Sequence, residues 1–480
     1  MKRFFLLILG FVFIQSVFGQ MDSLFKKGPL LNAGYSVYAI DAETGNLLYS
    51  TPQVSLVPAS VMKLITTATA LEILGPDFRF HTQIGFTGKI ISETGILKGD
   101  LVLKGGCDPA FYSEYFAEHY QGTFEAWAKV ILKRGVKVIE GNLVVDLAQL
   151  SGQPVPGGWL WEDIGNYYGA GVSALTYSDN CYSIHLKSSE SSGQPTIINY
   201  FSPDIDSLKL VNRVVCSEIN HDLTIIYGAP GSNSQVIEGS IPKGRTDFVV
   251  KGAMPDPALV CAAEFKKVLE SVGLKMTGKV IVVNKLNPGG FELLADKPSP
   301  PLNELIIPLN HESINLFAEH LLREIGRKVK GSATLTESLE AVKDFWNEKK
   351  IFIEGFYPTD GSGLSRSNGV CSRTLAEVIR FMYLSPNRDN FFKSLPLAGR
   401  RGTLQFAFKG TKLENNLQAK TGSMTRVRSL AGIFTNRKDK KVIFAVMTNN
   451  FEGTQLTMGH TIEAILSELY LADIPVSDKN

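Results

Sequence analysis

The stretch VPASVMKLITTATALEILG, residues 57–75, constrains the fold more than any other part of the chain. Pro58 restricts the approach, and Val61, Leu64, Ile65, Ala68 and Leu71 recur at three- and four-residue steps until Gly75-Pro76 ends the run. That spacing predicts a helix, with almost nothing but apolar and small residues after Lys63. Just upstream, GYSVYAIDAETGNLLYS (34–50) alternates and turns at Glu43-Thr44-Gly45-Asn46, the pattern of a β-hairpin. From Phe80 to about Val283 the character changes to short β-rich runs separated by Gly, Pro, Asn and Ser, among them HTQIGFTGKI, GDLVLKGG, GNLVVDL, LTIIYG and KVIVVN. KGDLVLKGG and IEGNLVVDLAQL resemble each other, too weakly to read as a repeat. Helical periodicity returns after NPGGFELLADKPSPP: HESINLFAEHLLREIG sets Ile314, Phe317, Ala318, Leu321, Leu322 and Ile325 on one stripe of an amphipathic helix that starts near Ser313. RSLAGIFTN and KVIFAVMTNN flank the turn RKDKK and predict a second hairpin. The segments before Phe80 and after Pro300 therefore read as one domain, 20–80 with 300–480, split by an insert of one or two β-rich domains at 81–299. The early helix must then pack against the late strands.

Positions three apart on a helix share a face, so Ser60 and Lys63 can touch. A lysine whose stem lies on an apolar wall loses hydration, its pKa falls, and the neutral amine can take a proton from the serine. The plainer alternative is a serine cap followed by a snorkelling lysine. Ser-x-x-Lys alone does not decide between them.

A chain of 480 residues, 44% hydrophobic and 20% charged, can bury the cores of two or three globular domains. A formal net charge of +2 gives no bias toward nucleic acid or an anionic membrane. MKRFFLLILGFVFIQSVFGQ has Lys2 and Arg3, an apolar run from Phe4, and small or permissive residues at Val17 and Gly19. This is the layout of a secretory signal peptide, residues 1–19, with an uncleaved anchor as the alternative. No Cys stands at the cleavage region to carry a lipid, and no later apolar run is long enough to span a bilayer. The mature chain is expected to begin near Gln20 and to be soluble in the periplasm. Cys107, Cys181, Cys216, Cys261 and Cys371 are too few for a disulfide scaffold and none has CxxC spacing. His311 and His320, nine apart, fall on different faces of a helix, so no metal pattern is read.

Two more short motifs follow the serine helix. Ser313-Ile314-Asn315 opens the late helix, and LQAKTGSMTRVRSL carries Lys420-Thr421-Gly422 at the end of a strand-like run. Each is ordinary alone, a helix cap and a strand end. In this order, on these elements, the three resemble the set shared by penicillin-binding proteins and serine β-lactamases. An acyl-enzyme mechanism needs a nucleophile with a base beside it, Ser60 and Lys63; a group that passes the proton to the leaving amine, Ser313; and a cation for a terminal carboxylate, Lys420 with Thr421. Asn315 suits a substrate amide. Gly422 lets substrate lie along the strand edge, and the backbone N–H groups of Ser60 and Ser423 would form an oxyanion hole.

PTDGSGLSRSN (358–368), LAGRRGTLQ (397–405), GDLVLKGGCDPAF and GGWLWEDIGNYYGAGVSALTYSDN narrow the likeness. They resemble the low-molecular-mass class C penicillin-binding proteins, the D-alanyl-D-alanine carboxypeptidase/endopeptidase family of the penicillin-binding protein 4 type. The resemblance covers most of the mature chain. It implies an α/β (α+β) fold: a penicillin-binding, serine β-lactamase-like transpeptidase domain interrupted by the long β-rich insert. It also implies a peptidoglycan stem peptide as substrate, D-Ala-D-Ala carboxypeptidase action with DD-endopeptidase cleavage as a second activity, covalent capture by β-lactam inhibitors, and no cofactor. Asp163 and Tyr168 fall where the family reaches toward the stem peptide; a solvated acid and a core tyrosine are the alternatives. Cys107 stands where the family usually has glycine or a small residue. Two rivals share the fold: a serine β-lactamase or esterase, against which no Glu-x-x-Leu-Asn is present, and a catalytically silent wall-binding scaffold, against which the motifs are intact.

Overall fold

The computed structural model describes residues 21, 23–284 and 290–472. The signal-peptide reading of residues 1–19 lies outside the described residues. The chain forms two compact units: one runs to Pro76 and takes up Ile306–Ile314 and the chain from Leu339 onward, and the other comprises Asp77–Leu305 and Asn315–Ser338.

The first unit is organised by a five-stranded antiparallel sheet in the order Gln418–Met424, Val427–Thr435, Lys441–Asn449, Gly34–Asp41, Leu47–Ser50. Both hairpins expected from the sequence are present, and they are joined directly: Gly34 pairs with Asn449 and Asp41 with Val442. Lys441–Asn449 is buried at every position after the first. A strand with both faces covered carries a continuous apolar run, which is why VIFAVM does not alternate. One face packs Leu430, Phe434, Phe444 and Val446 against Met458, Ile462, Ile465 and Leu466 of the helix Gln455–Leu471. On the other, the helix Ser372–Leu384 lies against the two central strands and against the serine helix. Burying each such large apolar side chain contributes about 1.5–3 kcal/mol.

That serine helix spans Met62–Leu74 and is preceded by a short 3-10 turn, Ala59–Val61, that carries Ser60. It is buried continuously from Met62 to Leu71, polar residues included. Their hydroxyls are used internally: Thr67 Oγ1 donates to the carbonyl of Lys63, Thr69 Oγ1 to that of Ile65, and Trp346 Nε1 donates to Thr69 Oγ1.

The second unit is built on a repeat that the sequence shows only faintly. Ile96–Lys98 and Leu101–Lys104, Val138–Glu140 and Leu143–Asp146, and Lys275–Met276 and Val280–Val283 are three strand–turn–strand units. The first strands of the three pair in parallel in one sheet and the second strands in parallel in another. Their turns stack on glycines. A Cβ on Gly141 would lie 2.1 Å from the carbonyl oxygen of Gly99, and one on Gly278 would lie 2.2 Å from that of Gly141. The weak likeness of KGDLVLKGG and IEGNLVVDLAQL is thus a real structural repeat, with a third copy in KMTGKVIVV. Only the short pairing strand and the turn glycine are held in common, too little sequence to stand out.

This unit is not β-rich throughout. Helices Thr123–Lys133 and Pro257–Ser271 pack on each other, with Phe124 5.0 Å and Trp127 5.8 Å from Phe265 between ring centroids. A start signal for the second was present: Asp256 caps it by accepting from the Leu259 N–H, and Pro257 occupies the first turn. The helix Asn315–Lys330, assigned from the sequence to 300–480, groups with this unit. Its predicted polar face is buried as well: His320 Nε2 bonds to the carbonyl of Ser173, Arg323 donates to the carbonyls of Ala333 and Gln153, and Glu324 pairs with Arg327. All five cysteines are free thiols.

Asp108 follows Cys107 and is buried, accepting from the Tyr120 hydroxyl at 2.6 Å and the Ala110 N–H at 2.9 Å. Burial outweighs both donors and pushes its carboxyl up to about 7. A folded-state value above the unfolded one favours the folded state fully below the unfolded pKa, and that contribution is lost as pH rises through about 7. The melting temperature of Asp108→Asn, relative to the parent, should therefore climb between about pH 4 and about pH 7 in circular-dichroism melts. A constant difference would show that Asp108 is ionised in the folded protein throughout.

Candidate active site

Within the first unit, the serine turn is held under backbone strain. Ala59 has φ of +50°, in the left-handed region that costs a residue with a Cβ. The strain is fixed by close packing: a Cβ on Gly363 would come within 1.9 Å of the Ala59 carbonyl oxygen. Ser60 makes no side-chain cap for the helix, so the plain capping alternative does not describe it.

Lys63 is fully buried, and its Nζ donates to Ser60 Oγ at 3.0 Å and to the carbonyl of Ser362 at 2.8 Å. The loop that presents Ser362 is the Asp360-Gly361-Ser362-Gly363 turn. Buried Asp360 braces it by accepting from the N–H groups of Gly363 and Ser365 and from Asn368 Nδ2, at 2.7, 2.6 and 2.8 Å. Thr66 Oγ1 closes the contact by donating to the Gly361 carbonyl at 2.6 Å.

Ser313 also adopts a left-handed conformation, φ +62°, and its Oγ accepts from Lys420 Nζ at 2.9 Å. Lys420 is fully buried on the strand Gln418–Met424 and also donates to the Thr421 carbonyl at 3.0 Å. Burial drives its ammonium well below the ordinary lysine range, and the nearby charges of Lys63 and Arg428 add to the effect against Glu312. Thr421 Oγ1 donates to Thr403 Oγ1 at 2.8 Å. Gly422 passes tightly by the serine turn: a Cβ there would lie 2.6 Å from the Pro58 carbonyl oxygen and 3.1 Å from the Ser60 nitrogen. Ser423, next along the strand, is exposed. The first unit thus gathers Ser60, Lys63, Ser313, Lys420, Thr421 and Gly422 around one chain of hydrogen bonds and close contacts.

Three other sequence-derived residues lie in the second unit and meet one another there. Asn315 Nδ2 donates to the Tyr168 carbonyl at 2.8 Å. Tyr168 is bonded through its phenol to Asp163, and burial followed by that carboxylate's charge raises the phenol above its ordinary range. Sequence reasoning gave no part to Thr403 or to the Ser362 carbonyl. Both sit in segments noticed only for their family likeness, and a backbone carbonyl leaves no residue-type signal.

Such a cluster, a serine hydroxyl on a buried lysine with a second serine on a second buried lysine, can activate a nucleophile and move a proton without an organic cofactor. Among the described residues no group of three or more His, Cys, Asp or Glu could hold a metal ion.

Comparison with known proteins fits this geometry. The profile of the D-Ala-D-Ala carboxypeptidase 3 (S13) family matches residues 17–469. A D-alanyl-D-alanine carboxypeptidase of Actinomadura sp. (strain R39) is 28% identical over 453 residues, covering 90% of this chain and 81% of the relative. The D-alanyl-D-alanine carboxypeptidase DacB of Haemophilus influenzae is 26% identical over 403 residues, covering 82% of this chain and 81% of its own. The crystal structure of penicillin binding protein 4 (dacB) from Haemophilus influenzae superposes with a TM-score of 0.81 at 25% identity, covering 94% of this chain and 99% of that one.

Proposed function

This chain belongs to the D-Ala-D-Ala carboxypeptidase 3 (S13) family and is a serine-type hydrolase of that class, and from this premise we propose that it trims peptidoglycan stem peptides in the periplasm through an acyl-Ser60 intermediate. The observation that carries the assignment to Ser60 is the 3.0 Å bond from Lys63 Nζ to its Oγ, held from behind by the Ser362 carbonyl. Ser60 Oγ attacks the carbonyl carbon of the bond between the two terminal D-alanines while its proton passes to Lys63. The developing oxyanion is held by the N–H groups of Ser60 and Ser423. Ser313 relays a proton to the departing amine, the bond to the last D-alanine breaks, and an ester to Ser60 remains. Water then hydrolyses the ester, leaving the peptide one residue shorter. Asn315 holds a substrate amide, and Asp163 with Tyr168 meets the stem peptide.

The acylation chemistry belongs, in this proposal, to the unit of the serine helix. Along Gly422 the peptide adds as a further strand, since a side chain there would crowd the Ser60 N–H.

Purified protein should release one D-alanine from a soluble pentapeptide ending in D-Ala-D-Ala, seen by mass spectrometry as a product one residue shorter. A pentapeptide left intact would overturn the carboxypeptidase assignment. Lys420→Ala should raise KM for this substrate about 10- to 100-fold, the scale of a lost charge-assisted hydrogen bond, and should affect a decarboxylated analogue much less. Because burial holds Lys420 well below its ordinary range, the charged form that a carboxylate would bind is lost at a lower pH than for an ordinary lysine. The parent's KM should accordingly rise with pH while that of Lys420→Ala stays flat. Equal losses on both analogues would make Lys420 a structural strand residue.

A further inference from the structure

Two aromatic pairs in the second unit each set an exposed ring against a partly buried one. Trp161, 58% exposed, stacks on Tyr227 with ring centroids 6.2 Å apart and planes 27° from parallel. Tyr167, 57% exposed, stands edge-on to Tyr168 at 5.4 Å. Glu162 beside Trp161 is exposed and Asp163 half-buried.

The two segments that carry the stacked pair are joined by a buried amide. Asn166 Nδ2 donates to the Glu162 carbonyl at 2.7 Å, and its Oδ1 accepts from the Ile226 N–H at 3.1 Å. Clearance between them is nil: a Cβ on Gly165 would fall 2.1 Å from the Ile226 carbonyl oxygen. The same turn is folded on itself at Gly169, where a Cβ would fall 2.0 Å from the Asp163 carbonyl oxygen. Asn315 is bonded to its end through the Tyr168 carbonyl. A close-packed frame therefore presents the rings of Trp161 and Tyr167 to water, in the segment that also carries Asp163 and Tyr168. Preorganised aromatics of this kind lose little entropy when a ligand binds.

The chemistry of the surface selects its occupant. Flat aromatic faces take the C–H face of a sugar ring, and an adjacent carboxylate accepts its hydroxyls. Glu162 and Asp163 would repel an anionic polymer or membrane surface. Taking the peptidoglycan substrate proposed above as given, we propose that Trp161 and Tyr227, with Glu162 beside them, form a carbohydrate-stacking platform for the glycan to which the stem peptide is attached.

The test compares the full-length parent with Trp161→Ala, Tyr227→Ala and Trp161→Phe on one pentapeptide, free or carrying its disaccharide. The alanine variants should raise KM for the disaccharide-bearing substrate about 5- to 10-fold, the scale of one lost aromatic stacking contact, with kcat retained and the free pentapeptide unaffected. Trp161→Phe should recover most of the loss. Equal losses on both substrates, or a parent that does not distinguish them, would overturn the platform. Titration with peptide-free glycan strands, followed by tryptophan fluorescence, separates this from the assignment of activity. Binding by the parent that is lost in Trp161→Ala supports the platform even if neither pentapeptide is cleaved, and no binding by the parent overturns it.

Discussion

Replacing Ser60 by alanine should abolish covalent labelling by a fluorescent β-lactam and end D-alanine release, with the fold unchanged. A β-lactam offers the strained amide of a D-Ala-D-Ala mimic, and its ring keeps the leaving group tethered after attack, so the ester to the parent enzyme should persist. Without Oγ no ester can form. The fold should survive because Ser60 caps nothing and Lys63 keeps its bond to the Ser362 carbonyl. The cost is one hydrogen bond at a half-buried site, about 1 kcal/mol. Tryptic mapping of the labelled parent should place the adduct on the peptide containing Ser60. A label on any other peptide, or one that persists in a well-folded Ser60→Ala protein, would sink the assignment of the nucleophile.

Changing Lys63 to arginine should slow acylation about 100-fold or more, as much as changing it to alanine, because the loss is that of a positioned general base. Arginine keeps a positive charge and hydrogen-bond donors but cannot accept the serine proton. Charge alone therefore predicts rescue and base catalysis predicts none. Lys63 is fully enclosed, and its Nζ already serves Ser60 Oγ and the Ser362 carbonyl, so a larger guanidinium would also have to displace the braced Asp360 loop. Melting curves separate that disturbance from lost chemistry: Lys63→Ala should melt close to Lys63→Arg or above it while acylating just as slowly. Acylation of Lys63→Arg at the parent rate would make Lys63 an ordinary packed lysine. Stopped-flow quenching by the label supplies the rates.

Local periodicity determined what the chain shows on its own. Residues three apart can share a face, so the spacing allowed Ser60 and Lys63 to touch while leaving a serine cap with a snorkelling lysine as the alternative. Both hairpins of the first unit were legible for the same reason. The order of three weak motifs, read with longer stretches of family likeness, pointed to the S13 family that the profile match establishes. Tertiary packing decided the rest, because it joins residues whose separation in sequence carries no period. Lys420 and Ser313 are 107 residues apart, and Lys63 and the Ser362 carbonyl are 299 apart, the latter through a backbone atom that every residue possesses. The helix Asn315–Lys330 reads as amphipathic because its charges are visible in sequence while the carbonyls of Ser173, Gln153 and Ala333 that bury them are not. In the second unit, the three-fold repeat is specified by backbone pairing and by glycines with no room for a Cβ, and neither constraint asks for matching side chains.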